Sequence, residues 1–304
     1  MKNSGFSILI LVSSLLIGGC ASSVAQPLSA DAASPRVVAD GNVQKKQDSP
    51  PERKATRTEE KKKKKTPPPP LDLSAYRLTF NDEFDKMSIV PDKGDGTWFA
   101  PVHVTFGAAL LAPPSPSGPF FVKDGKLTIR ASVQDGKWTS GLMQTVDSTG
   151  RGFSQAYGYF EMRAKLPKGR ATWPAFWLLT QRTYVDTTAT RGEIDILEAY
   201  GSQHGVIHFA LHIRPRGDRR WNFSKQFKQP TMMEGFHRYG ASIDSVWIKF
   251  YFDSEEIYRV PTFEVFKGPM YMLVDLAMVD KDMARAESPS DLIVDYVRAY
   301  EKIQ

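Results

Sequence analysis

The chain has 304 residues, a formal net charge of +6, 12% aromatic residues and a single cysteine, Cys20. One cysteine allows neither an intrachain disulfide nor a thiolate metal centre. Residues 1–70 hold 12 Lys/Arg against 6 Asp/Glu, so residues 71–304, with 28 of each, are formally neutral; the excess charge belongs to the tail and is no evidence for a nucleic-acid-binding face on the body of the protein, and no nucleic-acid partner is expected.

In chain order, the first segment is Lys2 followed by an apolar stretch from Phe6 to Ile17 and then Gly18-Gly19-Cys20. It predicts a secretory signal peptide over 1–20, ending in what resembles a bacterial lipoprotein processing site with Cys20 as the lipidated residue. The apolar run is too short to span a bilayer core of about 30 Å. Ala21 and Ser22 follow without an acid; by resemblance to bacterial sorting rules this favours an outer-membrane anchor in the cell envelope, with membrane contact through the lipid only. Residues 21–70 lack sustained apolar periodicity and end in Lys61–Lys65 and Pro67–Pro70. Such a segment cannot bury enough apolar surface to offset its chain entropy, so a disordered Lys/Pro-rich linker is expected there. Its bland role is a solvated tether with a stiff Pro end; the alternative is contact of the Lys run with an anionic surface.

From Leu71 the pattern changes to short alternating segments broken by Gly, Pro, Asp and Asn, among them 127–131, 158–166, 247–252 and 292–300. Period two with β-branched and aromatic enrichment predicts strands, and many short strands without a long amphipathic helix predict one all-β sandwich or barrel domain over 71–304. The Pro-rich stretch 112–119 reads as a surface loop or a rigid rim.

The chemistry concentrates in Gly192-Glu193-Ile194-Asp195-Ile196-Leu197-Glu198-Ala199-Tyr200-Gly201. Three acids lie among aliphatic residues in what otherwise reads as a buried strand, and acids facing a core are costly unless they share a wetted face. Glu193 and Asp195 alternate to the same side, but Glu198 would face away in a regular strand. A β-bulge between Asp195 and Glu198 would return it to their side. Two converging Glu carboxylates around a central Asp suit retaining glycoside hydrolysis, which needs a separation of about 5–5.5 Å. An acidic edge strand or a hard-cation site would use the same residues.

That segment resembles glycoside hydrolase family 16 of the laminarinase and bacterial exopolysaccharide glycanase type, as do Tyr157 to Gly169, Thr172 to Leu179, Phe80 to Asp85, Phe236 to Gly240 and Val294 to Tyr300. The resemblance implies a concave β-sandwich jelly roll with an open substrate cleft and a retaining mechanism. It assigns Glu193 as nucleophile, Asp195 as its helper and Glu198 as general acid/base. It makes Trp173 and Trp177, four apart, a sugar-stacking platform rather than core, and His212 a partner of a catalytic carboxylate or a substrate hydroxyl. Glu83 and Asp295 match positions that in relatives often hold a structural calcium.

The expected activity is therefore endo-hydrolysis of a β-linked polysaccharide: a β-1,3- or β-1,3-1,4-glucan, or a glucose-containing exopolysaccharide. The expected protein is a monomer needing no organic cofactor. The alternatives are transglycosylation on the same scaffold and a non-catalytic glycan-binding lipoprotein. Two features depart from the family. Val274 to Asp280 lacks the paired glycines and Trp that relatives commonly carry, and a basic run of Arg214, Arg216, Arg219 and Arg220 offers contact with an anionic polymer or simply a solvated loop.

Overall fold

The computed structural model describes residues 70–101, 107–215 and 220–303; Cys20 and the predicted signal peptide and linker lie outside them, apart from Pro70. In chain order the strands are β1 (Tyr76–Asp82), β2 (Ile89–Pro91), β3 (Trp98–Ala100), β4 (Leu110–Leu111), β5 (Phe120–Val122), β6 (Leu127–Gln134), β7 (Lys137–Ser140), β8 (Leu142–Gln144) and β9 (Gly158–Lys165). They continue with β10 (Thr172–Thr180), β11 (Arg191–Glu198), β12 (Val206–Arg214), β13 (Trp221–Lys228), β14 (His237–Ile243), β15 (Trp247–Phe252), β16 (Glu255–Pro261), β17 (Met270–Met278) and β18 (Ser290–Lys302). The four alternating segments picked from the sequence fall on β6, β9, β15 and β18. Helical structure among the described residues is confined to four short 3₁₀ turns, and no helix among them is long and apolar enough to cross a membrane.

The strands form two sheets that do not close into a barrel. One runs β16-β15-β14-β9-β18-β6-β7-β4, with β1 also on β18 and β5 on β6; the other runs β13-β12-β11-β10-β17-β8-β3-β2. The second sheet is apolar on both faces along β10 and β17, and it is this doubling that builds the site. Phe176, Leu178, Met272, Val274 and Leu276 enter the main core between the sheets. Their alternating neighbours Ala175, Trp177, Leu179, Tyr271 and Leu273 form a second cluster with Leu111, Leu142 and Val146. Consequently β17 is buried at all nine positions, like a strand with no solvent face.

Cross-strand register lays a grid over that outer face, because directly opposed residues share a face with Cβ atoms about 4.5–5.5 Å apart. One row is Tyr271, Leu179, Glu193, His212 and Asn222; the next is Leu273, Trp177, Asp195 and Ala210; a third is Leu142, Asp275, Ala175, Glu198 and His208. Past the third row the chain turns at Gly201, whose N–H donates to the Thr172 carbonyl and where a Cβ would lie 1.8 Å from the Gly169 carbonyl oxygen. Gly201→Ala is expected to lower stability by about 1–3 kcal/mol, since backbone rather than a flexible side chain must give way. Chemical denaturation midpoints of the two proteins measure it.

Candidate active site

The acid segment becomes β11, two strands in from the β13 edge, so the edge-strand reading falls. Its register slips between Asp195 and Glu198: on one side Phe209 of β12 opposes both Ile196 and Leu197, and on the other Trp177 and Phe176 of β10 pair with Asp195 and Leu197. Ile196 and Leu197 both enter the main core. The bulge thus feeds two consecutive aliphatic side chains inward and keeps Glu193, Asp195 and Glu198 on the outer face.

The acids receive different surroundings. Glu193 is 3% exposed and is gripped by Arg214 of β12, whose Nη1 donates to Oε2 at 2.5 Å and Nη2 to Oε1 at 3.1 Å. Asp195 lies 3.1 Å from His212 Nε2, which is 3.9 Å from Glu193 Oε1. The other His212 nitrogen, Nδ1, is 2.7 Å from Asn222 Oδ1 on β13. An amide oxygen only accepts, so Nδ1 donates there. Glu198 Oε1 accepts from Trp173 Nε1 at 2.9 Å and from the Tyr200 hydroxyl at 3.3 Å. Tyr200 is braced edge-on by His208, with 4.8 Å between ring centroids, and His208 Nε2 is 3.0 Å from Gln203 Oε1.

These surroundings set the charges. Burial pushes the Glu198 carboxyl up to about 8, the Asp195 charge adding to it and the Trp173 N–H opposing it. Burial also raises Asp195, to about 6, against the hydrogen bond from His212. At His212 burial disfavours the imidazolium, but the hydrogen bond and charge of Asp195, with the charge of Glu193, outweigh it and lift the ring to about 9. Burial alone takes His208 down to about 4. Near neutral pH the face therefore holds a protonated Glu198, a cationic His212 and a neutral His208.

Trp173 and Trp177 occupy the outer face together but do different things. Trp173 is half-buried, tilted against Tyr200 with 5.5 Å between centroids, and points its N–H at the acid. Trp177 is only 4% exposed, sits in the second apolar cluster and donates to Asp275 Oδ1 at 2.8 Å. It offers no open face, so it does not form with Trp173 the stacking platform expected of the pair.

Arg214, Asp275, Tyr200 and Asn222 were not assigned to the site from sequence. In sequence Arg214 reads as part of a basic run, of which Arg216 and Arg219 lie outside the described residues. The signal that finds it is period two: Arg214 follows His212 by two places and so shares its face.

Glu193, Asp195 and His212 form the only group of three His, Cys, Asp or Glu side chains among the described residues close enough to hold a metal ion, with ligand atoms within 4.8 Å of one another. The Arg214 fork already takes both Glu193 oxygens and His212 is paired with Asp195, so the three groups are held by one another and by a guanidinium. The calcium expected at Glu83 and Asp295 also meets cations. Glu83 Oε1 accepts from Arg298 at 2.6 and 2.9 Å, and Asp295 pairs with Arg163 and lies 3.7 Å from Lys126 Nζ. Each acid is thus already paired with basic side chains, which does not fit a calcium site.

The profile of Glycosyl hydrolases family 16 matches residues 120–296. An endo-1,3-1,4-beta-glycanase, EglC, of Rhizobium meliloti (strain 1021) is 33% identical over 263 residues, covering 76% of this chain and 53% of that protein. A second, ExsH, from the same organism is 31% identical over 263 residues with the same coverage; the chain spans about half the length of these curated relatives. Among solved structures, the laminarinase of Rhodothermus marinus superposes with a TM-score of 0.60 at 26% identity, covering 75% of this chain and 98% of that one. The laminarinase catalytic domain of Thermotoga maritima shares the fold, with a TM-score of 0.61 at 24% identity over 75% of this chain and 99% of that one. The chain belongs to glycosyl hydrolases family 16.

Proposed function

We propose that the protein is a retaining endo-glycosidase that hydrolyses a β-1,3- or mixed β-1,3-1,4-glucan, or a glucose-containing exopolysaccharide. The observation that carries this is the bulge, which sets two Glu carboxylates on one face in opposite environments: Glu193 in a guanidinium fork, Glu198 desolvated and protonated. Glu198 gives its proton to the glycosidic oxygen as Glu193 attacks the anomeric carbon, breaking the C–O bond and forming a glycosyl ester. Glu198, now a carboxylate, takes a proton from water as that water attacks the same carbon and frees Glu193. Asp195, held by His212, fixes the charge beside the nucleophile. The glucan preference is supported by the relatives' named activities. No organic cofactor enters, and the protein acts as a monomer.

The test is polymer sizing on a panel of laminarin, mixed-linkage glucan and succinoglycan-like exopolysaccharide. A rapid fall in chain length with β-anomeric products supports the reading. Products longer than the substrate under excess acceptor would put a sugar hydroxyl in the place of water. Binding without cleavage would sink the enzyme reading.

Because Glu198 must carry a proton, kcat/KM on a polymer is expected to be retained below its pKa of about 8 and to fall as pH rises through that value. Glycosides with acidic leaving groups need no protonation, so their alkaline limb should flatten. A pH–rate profile on both substrates checks this.

The signal pattern supports anchoring of the protein to the cell envelope through lipidated Cys20, with the neutral domain carried on the 21–70 tether. Fatty-acid labelling lost in Cys20→Ser is the expected result; a labelled mutant would sink the anchor.

A further inference from the structure

Asp275 is the one acid in β17, and the chemistry above does not use it. It is 0% exposed, and its register neighbours, Ala175 on β10 and Leu142 on β8, are apolar. Oδ1 accepts the Trp177 indole N–H at 2.8 Å, while Oδ2 is buried without a partner. A charged carboxylate with one oxygen lacking any donor is a costly thing to bury, and protonation removes most of that cost. What Asp275 touches leads straight to the reacting groups. Trp177 is directly opposite Asp195 across β10 and β11, and only Ala175 separates Asp275 from Glu198 in their row.

We propose that Asp275 is a positioning residue carried as a neutral carboxylic acid, whose Oδ1 fixes the Trp177 indole and thereby the apolar wall beside Asp195. Its neutrality is part of the role: an ionised Asp275 would add a negative charge to a face already crowded with acids. Burial pushes the group up to about 8, the Asp195 charge adding to that and the Trp177 and Ala277 N–H groups opposing it. Asp195 is the charged group facing it. Only the effect on turnover rests on the hydrolytic reading.

The test follows the Trp177 indole N–H in the full chain labelled with ¹⁵N-tryptophan, the resonance being assigned by its loss in Trp177→Phe. It is expected to move with a midpoint near 8 in the wild type and to lose that step in Asp275→Asn, which keeps the acceptor for Trp177 and has no charge to gain. A step in the ordinary carboxylate range near 3.8 instead would overturn the proposal. In turnover, Asp275→Asn is expected to keep kcat within about threefold, while Asp275→Ala, which frees the indole, loses on the order of 100-fold in kcat with KM little changed. An Asn variant as impaired as the Ala variant would mean that a carboxylate is required, and would also overturn it. If no tested glycan is cleaved, the functional reading fails and the indole step still decides this one.

Discussion

Glu193→Gln is expected to lower kcat on a polymeric β-glucan by about 10⁴-fold or more while the fold is retained. The amide keeps the length of the side chain and an oxygen for one arm of the Arg214 fork, but it cannot form the glycosyl ester. Since Glu198 is left protonated and Trp173 still donates to it, the acid half of the reaction stays in place, and the loss isolates the nucleophile. Reducing-end release under saturating substrate measures it, with thermal midpoints to confirm folding. A variant within tenfold of wild type would show that Glu193 does not attack carbon. Glu198→Gln offers the contrast: general acid catalysis is worth about 10²–10⁴-fold, and that deficit should shrink on substrates whose leaving group needs no proton.

Arg214→Met is expected to have the second large effect, and on two readouts. The Arg214 side chain is 12% exposed and that of Glu193 4%, so removing the guanidinium leaves a buried carboxylate without its cation. Breaking a buried pair in this way costs about 3–5 kcal/mol. Activity should fall with stability, because the oxygens that the fork aims are those that would attack. Arg214→Lys keeps the charge yet replaces a planar two-point grip by a single flexible ammonium. It is expected to recover more stability than turnover. Urea midpoints read beside kcat test both statements. A Met variant of wild-type stability would show that the pair contributes nothing, and equal recovery of both quantities in the Lys variant would show that charge alone matters.

Much of the site was legible because its constraint is local. Acids spaced Glu-x-Asp-x-x-Glu among aliphatics admit few solutions, and a strand with one extra residue is the solution found. The strands were legible for the same reason, as alternation needs no knowledge of partners. What was not legible depends on which strand lies beside which. Arg214 looked like part of a solvated basic run until β12 was placed against β11, and Asp275 looked like a loss of family pattern until β17 was placed against β10. An acid inside an otherwise apolar nine-residue run was nonetheless a signal. Trp177 shows the reverse error: its side of the strand was right, but sequence could not show that Leu111, Leu142 and Tyr271 would bury it. Likewise, Glu83 and Asp295 carried no sign of the arginines that meet them.

The two-for-one register at Ile196 and Leu197 also bears on how the sheet finds its alignment during folding. Upstream of it, β11 sends odd-numbered residues outward; downstream, even-numbered ones. A slip of β11 by one position against its neighbours would turn Glu193, Asp195 and Glu198 into the core, and a slip by two would set the extra residue against the wrong partners, so no shifted pairing keeps both halves in place. The feature that gathers the carboxylates therefore doubles as an alignment key, rejecting the two-residue slips that a uniformly alternating strand, whose faces they leave unchanged, would tolerate.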